Sequence, residues 1–140
     1  MILILEYVWI GGNNELRSKT KVLNDINLHS NPILNYSSGK FQEYTIPDWN
    51  FDGSSTNQAE GHDSEVILKP VRIYNNSFVD NGYLVLCETY LPDGKPHPSN
   101  TRNKATNIFN KYFDEYSMFG IEHEFFVINN ETGRPVGFPK

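Results

Sequence analysis

Ile2-Leu3-Ile4-Leu5-Glu6-Tyr7-Val8-Trp9-Ile10-Gly11-Gly12-Asn13-Asn14-Glu15-Leu16-Arg17-Ser18-Lys19-Thr20-Lys21-Val22-Leu23 is the stretch on which the fold turns. Residues 2–10 are rich in Ile, Leu, Val, Tyr and Trp, the residues that fit a pleated, half-buried surface. Gly11 to Asn14 is a turn cluster, and Glu15 to Leu23 reads as the returning strand, so the stretch is a β-hairpin. Three cations on the second strand (Arg17, Lys19, Lys21) read as a charged face that discourages pairing with other chains.

Outward from the hairpin the chain continues in short pieces. Residues 24–40 carry Asn, Asp, Ser, Pro and Gly and read as a loop, and Phe41 to Ile46 reads as a short strand. Pro47 to Asp63 is polar, turn-rich and without regular period. Glu65 to Tyr74 alternates through Val66 and Leu68, with Pro70 expected to end that strand. Tyr83 to Tyr90 is a further strand, and Pro92-Asp93-Gly94 with Pro96 and Pro98 marks a boundary. Ser99-Asn100-Thr101 can cap a helix, and Ile108, Phe109, Tyr112 and Phe113 recur at helical spacing, which predicts a helix over 100–116. Phe119 to Ile128 is expected to be a strand and Asn129 to Gly133 a turn.

The chain has 140 residues, 12 basic and 17 acidic side chains, and a formal charge of −5. A basic nucleic-acid-binding face is not expected from that balance. The opening apolar run is five residues long and is followed by Glu6, which does not fit a signal peptide, and no run reaches the ~18 apolar residues of a membrane helix. The one cysteine, Cys87, excludes an internal disulfide and fits a reducing, cytoplasmic setting. It reads as a core thiol.

Two constellations could carry chemistry. In Gly120-Ile121-Glu122-His123-Glu124-Phe125-Phe126, alternation in a strand would put Glu122 and Glu124 on one face and His123 on the other. Paired carboxylates suit a hard cation such as Mg²⁺ or Mn²⁺. A half-solvated strand shows the same alternation, and spacing alone favours that explanation. In Pro47-Asp48-Trp49-Asn50-Phe51-Asp52-Gly53-Ser54-Ser55-Thr56, Trp49 and Phe51 could anchor a loop and Gly53 could supply an unusual backbone angle. Asp52 would then be a pre-positioned carboxylate able to bind a cation or take a proton. Taken alone, the loop reads better as an Asp-Gly turn with Ser/Thr capping.

In order along the chain, these segments resemble the amino-terminal part of a eukaryotic-type glutamine synthetase. The matching stretches are Leu5 to Ile10, Glu15 to Thr20, Pro47 to Thr56, Gln58 to Gly61, Asp63 to Glu65, Leu68 to Pro70 and Leu84 to Tyr90. They continue with Asn100 to Arg102, Phe119 to Glu124 and Gly133 to Pro139. The run Trp49-Asn50-Phe51-Asp52-Gly53-Ser54-Ser55-Thr56 is the most specific of them. Gly11 departs from the Asp usual in the family, Asp48 from Glu and His123 from Gln.

The resemblance implies an α+β fold: a β-grasp domain over about 5–91, then the opening helix and strand of the catalytic domain over 98–140. It implies ATP-dependent ligation of ammonia to glutamate through a γ-glutamyl phosphate, with Mg²⁺ or Mn²⁺ and ATP as co-substrate. It places Glu122 and Glu124 on the family's metal-binding Glu-x-Glu pair. Asp52 falls on the Asp of ammonium binding and deprotonation, with Ser54 beside it ordering the loop. It implies glutamate, ammonium and ATP as ligands, a homo-oligomeric ring through the β-grasp domain, and neither a nucleic-acid nor a membrane partner. Most metal ligands and the ATP and glutamate sites of the family lie beyond the matched part, so this chain by itself is expected to be inactive. A different class of reading is a non-catalytic β-grasp module that binds full-length synthetase subunits.

Overall fold

A computed structural model describes residues 2–24 and 46–138; the strand expected over 41–46 lies almost wholly outside them. The apolar opening forms β1 (Ile2–Ile10), and it returns as β2 (Leu16–Asn24). Leu3 to Leu23, Leu5 to Lys21, Tyr7 to Lys19 and Trp9 to Arg17 stand opposite one another in the antiparallel register. The turn is closed by the Gly11 N–H donating to the Glu15 carbonyl at 2.8 Å, with Asn14 in the left-handed region at φ 63°. Asn tolerates that conformation better than other non-glycine residues.

The other strands among the described residues are β3 (Trp49–Asp52), β4 (Glu65–Asn75) and β5 (Gly82–Tyr90), and the sheet order is β2-β1-β5-β4-β3. β1 and β5 run parallel at the centre and the other pairs are antiparallel. Pro70 does not end β4, as its missing N–H led us to expect. The strand continues to Asn75 with a register shift between Pro70 and Arg72, and Val71 is the extra, exposed residue. A bulge is where a sheet accommodates a proline without losing the strand.

One face of the sheet carries the core. Leu5, Tyr7, Trp9, Leu68, Val85 and Cys87 form one buried cluster, with Trp49, Phe51, Ile73 and Tyr83 packed against it. Trp49 meets Tyr7 edge-on with ring centroids 5.3 Å apart, and Phe51 lies 4.4 Å from Trp9. β3 is the outermost strand beyond β4, yet its aromatics fold across the core face onto β1. The Trp49 ring lies under the Lys19 ammonium of the opposite edge strand, 3.7 Å from its centroid. The core face is therefore closed over by its own edge.

The helix α1 (Thr101–Lys111) is shorter than the expected 100–116. The Asn100 side chain caps it by accepting from the Asn103 N–H at 3.0 Å, which satisfies one of the orphan donors of a first turn. A single 3₁₀ turn follows at Phe113–Glu115, and Tyr116 leaves it at φ 49°. The expected strand over 119–128 is not formed. Among the described residues the pairing in this region is one bridge, Ile128 to Pro135, and residues 119–127 are exposed. A strand needs a ladder partner to satisfy its backbone, and none of the five strands offers one. The expected turn is present, with Asn129 Oδ1 accepting from the N–H groups of Glu131 and Thr132.

Candidate functional site

β3 delivers Asp52 to the surface. Its alternation buries Trp49 and Phe51 in part and exposes Asn50 and Asp52, so the two aromatics anchor the strand while the carboxylate stays in solvent. At the end of the strand a 3₁₀ turn, Gly53–Thr56, begins with Asp52 as its N-cap. Ser54 donates twice to one carboxylate oxygen of Asp52, from its N–H at 3.0 Å and from its hydroxyl at 2.6 Å. The Ser54 hydroxyl and N–H, with the Ser64 side chain, hold the Asp52 carboxyl below the usual carboxylate range, because each of these bonds favours the ionised form. The loop is thus a capped Asp-Gly turn and also presents a fixed, ionised, exposed carboxylate.

Gly53 is needed for a reason other than the expected one. Its φ is not positive; instead, a Cβ at this position would stand 2.6 Å from Val66 Cγ2 and 3.0 Å from Ala59 Cβ. The glycine lets the turn press onto β4. The Gly53 N–H donates to the Ser64 carbonyl at 2.7 Å, and its own carbonyl accepts from the N–H groups of Gln58 and Ala59.

The cations of β2 do more than keep an edge soluble. Arg17 donates to the Ser55 carbonyl and Lys19 to the Asn50 carbonyl, each at 2.9 Å. Burial and the neighbouring Lys21 push the Lys19 ammonium down. Sequence reasoning missed this role, since nothing local in a strand shows which distant carbonyl a lysine will reach. It also missed Gln58, a buried amide at the back of the loop. Gln58 accepts from the Trp9 indole at 3.3 Å and from the Thr56 hydroxyl at 2.8 Å.

Glu122 and Glu124 lie on the irregular segment after α1, both exposed. His123 and Glu124 line one shallow crevice with Phe125 and Phe126, so the opposite-face arrangement expected of a strand does not hold. Among the described residues, neither glutamate is hydrogen-bonded to the Asp52 loop, and no group of three or more His, Cys, Asp or Glu side chains could hold a metal ion. The structure therefore fixes Asp52 and Ser54 as one unit and leaves Glu122 and Glu124 as a separate pair on an open segment.

Among the described residues, a five-stranded mixed sheet with a parallel central pair and one α-helix defines an α+β protein with a β-grasp-like amino-terminal domain. No protein-family model matches the chain. Individual relatives do, and they agree: the chain matches the amino-terminal part of glutamine synthetases. It is 46% identical over 138 residues to a protein of Acanthamoeba polyphaga mimivirus that carries the glutamine synthetase name, covering 97% of this chain and 36% of the relative. It is 40% identical over 141 residues to the chloroplastic glutamine synthetase of Oryza sativa subsp. japonica, covering 98% of this chain and 30% of the relative. It is 41% identical over 141 residues to the cytosolic isozyme 2 of Vitis vinifera, covering 98% of this chain and 36% of the relative. The chain thus spans about a third of the length of the relatives it matches. Among the described residues, no helix is long and apolar enough to cross a membrane.

Proposed function

We propose that these residues are the β-grasp domain (5–91) and the opening of the catalytic domain (98–140) of a glutamine synthetase. Such an enzyme joins ammonia to glutamate at the expense of ATP. The glutamate γ-carboxylate oxygen attacks the γ-phosphorus of ATP, ADP departs, and a γ-glutamyl phosphate forms. Ammonia then attacks the acyl carbon and phosphate leaves. A bound divalent metal would supply charge neutralisation for the transferring phosphoryl group.

Asp52 is the residue of this chain assigned to the ammonium step. An ionised carboxylate attracts NH₄⁺, and it accepts the proton that ammonium must lose before nitrogen becomes a nucleophile. The observation that carries this reading is the pair of Ser54 bonds, which fix Asp52 ionised and exposed at the end of an anchored strand. Glu122 and Glu124 would supply carboxylate oxygens to Mg²⁺ or Mn²⁺. Two carboxylates are too few for a metal cage competent in phosphoryl transfer, so further ligands must come from other residues. Subunits would assemble into a ring through the β-grasp domain.

The test is glutamine formation from ATP, glutamate and ammonium by the 140-residue polypeptide, alone and joined in frame to the remaining two thirds of a relative. The joined protein is expected to be active and the 140-residue polypeptide silent. Activity of the latter would overturn the assignment of the missing groups. Asp52→Asn in the joined protein is expected to lower kcat by about 10²-fold or more, the usual scale for a lost proton acceptor. Unchanged activity would remove Asp52 from the mechanism.

A second reading, a non-catalytic module that binds full-length synthetase subunits, draws on the exposed apolar side chains after α1, Met118, Ile121 and Phe125 among them. Surfaces of that kind mark contacts with other polypeptide. Co-elution with a full-length synthetase, without gain of activity over that synthetase alone, would favour it.

A further inference from the structure

Behind the Asp52 loop, three separate pieces of chain meet at one buried amide: the end of β1, the loop itself and the His97–Ser99 segment. The Gln58 side chain donates from Nε2 to the Ile10 carbonyl at 3.2 Å and to the Ser99 hydroxyl at 2.9 Å. The Ser99 hydroxyl in turn bonds His97 Nδ1 at 2.8 Å, and the Ser99 N–H donates to the same nitrogen at 3.1 Å. The other ring nitrogen, His97 Nε2, meets the Gln58 backbone carbonyl at 2.6 Å. A carbonyl only accepts and an N–H only donates, so these partners set the ring as the Nε2–H tautomer. Gln58, Thr56, His97 and Asn100 are all buried. The circle is complete, and among the described residues no buried side-chain nitrogen or oxygen lacks a partner.

We propose that Gln58, His97 and Ser99 form a clasp that couples the pose of the Asp52–Gln58 loop to the pose of the segment entering α1. The loop side is fixed because the Gln58 N–H donates to the Gly53 carbonyl and the Gly12 N–H to the Thr56 carbonyl, at 2.8 and 2.9 Å. The helix side is fixed because the His97 carbonyl accepts from the Asn100 N–H, and Asn100 caps α1 while donating to the Thr89 carbonyl at 2.9 Å. A polar network of this kind holds only when every member is satisfied. Opening one end leaves buried donors and acceptors unpaired at the other, so the coupling acts in both directions. The clasp is a positioning device, and it stands or falls independently of any catalytic role for Asp52.

Amide hydrogen exchange on the full chain tests it. His97→Ala is expected to speed exchange about tenfold at Gly12, Gln58 and Ala59, on the far side of the clasp, with central-strand amides such as Val85 unchanged. Gln58→Ala is expected to speed exchange at His97, Asn100 and Asn103 by a similar factor. A glutamine amide can take the place of imidazole Nε2 and an asparagine amide that of Nδ1. His97→Gln is therefore expected to restore loop protection and His97→Asn to leave it lost. If His97→Ala does not fold, Ser99→Ala removes only the relay hydroxyl and is expected to loosen both sides to a smaller degree. Exchange that rises on the mutated side alone, equal rescue by Gln and Asn, or an Nδ1–H tautomer by ¹⁵N spectroscopy would each overturn the clasp.

Discussion

At the scale of single residues, the loop after β3 shows how little room each choice leaves. Ser54→Ala removes the 2.6 Å hydroxyl bond to the Asp52 carboxylate, so the Asp52 pKa is expected to rise toward the ordinary carboxylate value. The sign follows from the direction of the shift. A depressed folded value means that the contribution to stability is present above the unfolded pKa and is lost as pH falls through the folded one. Carboxyl ¹³C titration of the two proteins measures the shift, and identical midpoints would contradict it. Gly53→Ala is expected to cost about 1–3 kcal/mol, the usual range for overpacking, because the added methyl meets Val66 and Ala59. Denaturant unfolding reads that cost. Tyr7→Phe removes the bond from the phenol to the Pro47 carbonyl at 2.7 Å and is expected to cost about 1 kcal/mol. Burial, with Cys87 and Asp48 nearby, pushes the Tyr7 phenol up to about 12, and burial does the same to the Cys87 thiol. Both raised values favour the neutral form in the folded state. The contribution of these two groups to stability is therefore expected to be present below pH 9, the ordinary thiol value, and to be lost from there toward pH 12. Cys87 is likewise expected to resist alkylation near pH 7 until the chain is unfolded.

At the scale of elements, the readings that succeeded were those resting on local pattern. The 2–23 hairpin, the strand ending at Tyr90 and the Asn129 turn could be seen in the alternation of apolar residues and the placement of Gly and Asn. Pro70 misled because a proline is read as a strand end until a partner strand is known, and the bulge opposite β5 depends on that partner. β3 was hidden in a polar loop because only Trp49 and Phe51 show its inward face and four residues carry too short a period. The 119–128 strand failed for the opposite reason: its composition suits a strand, but a ladder is made between segments. Asp52 and Ser54 were legible as a pair because they are two residues apart, whereas Gln58, His97 and Ser99 come together only through the fold. At the heart of the sheet, Leu68→Ala is expected to cost about 2–5 kcal/mol, since Leu68 is wholly buried in the central cluster and the face cannot collapse to fill the space. Thermal unfolding checks it, and a cost below ~1 kcal/mol would mean that the cluster is loosely packed.

At the scale of the molecule, the two halves are built to different rules. Residues 2–90 carry a core of their own, while α1 has no buried residue and Phe113, Phe119 and Ile121 stand largely in solvent. A dye that brightens on exposed apolar surface is expected to bind the 140-residue polypeptide, and binding is expected to fall sharply when the chain is cut back to residues 1–100. Equal binding by both would place the apolar surface on the sheet instead. The parallel pairing of Ile4–Val8 with Gly82–Leu86 has a consequence in time. The β1–β2 hairpin can close as soon as its residues exist, but the strand that fills the middle of the sheet is the last of the five to be made. During synthesis the hairpin must wait with one hydrogen-bonding edge open until nearly all of the domain has left the ribosome. Loop closure across the whole domain then precedes the contacts that reward it. The slowest step in building this sheet is therefore its centre, and the long interval before β5 arrives is when the chain is most open to pairing with a neighbour.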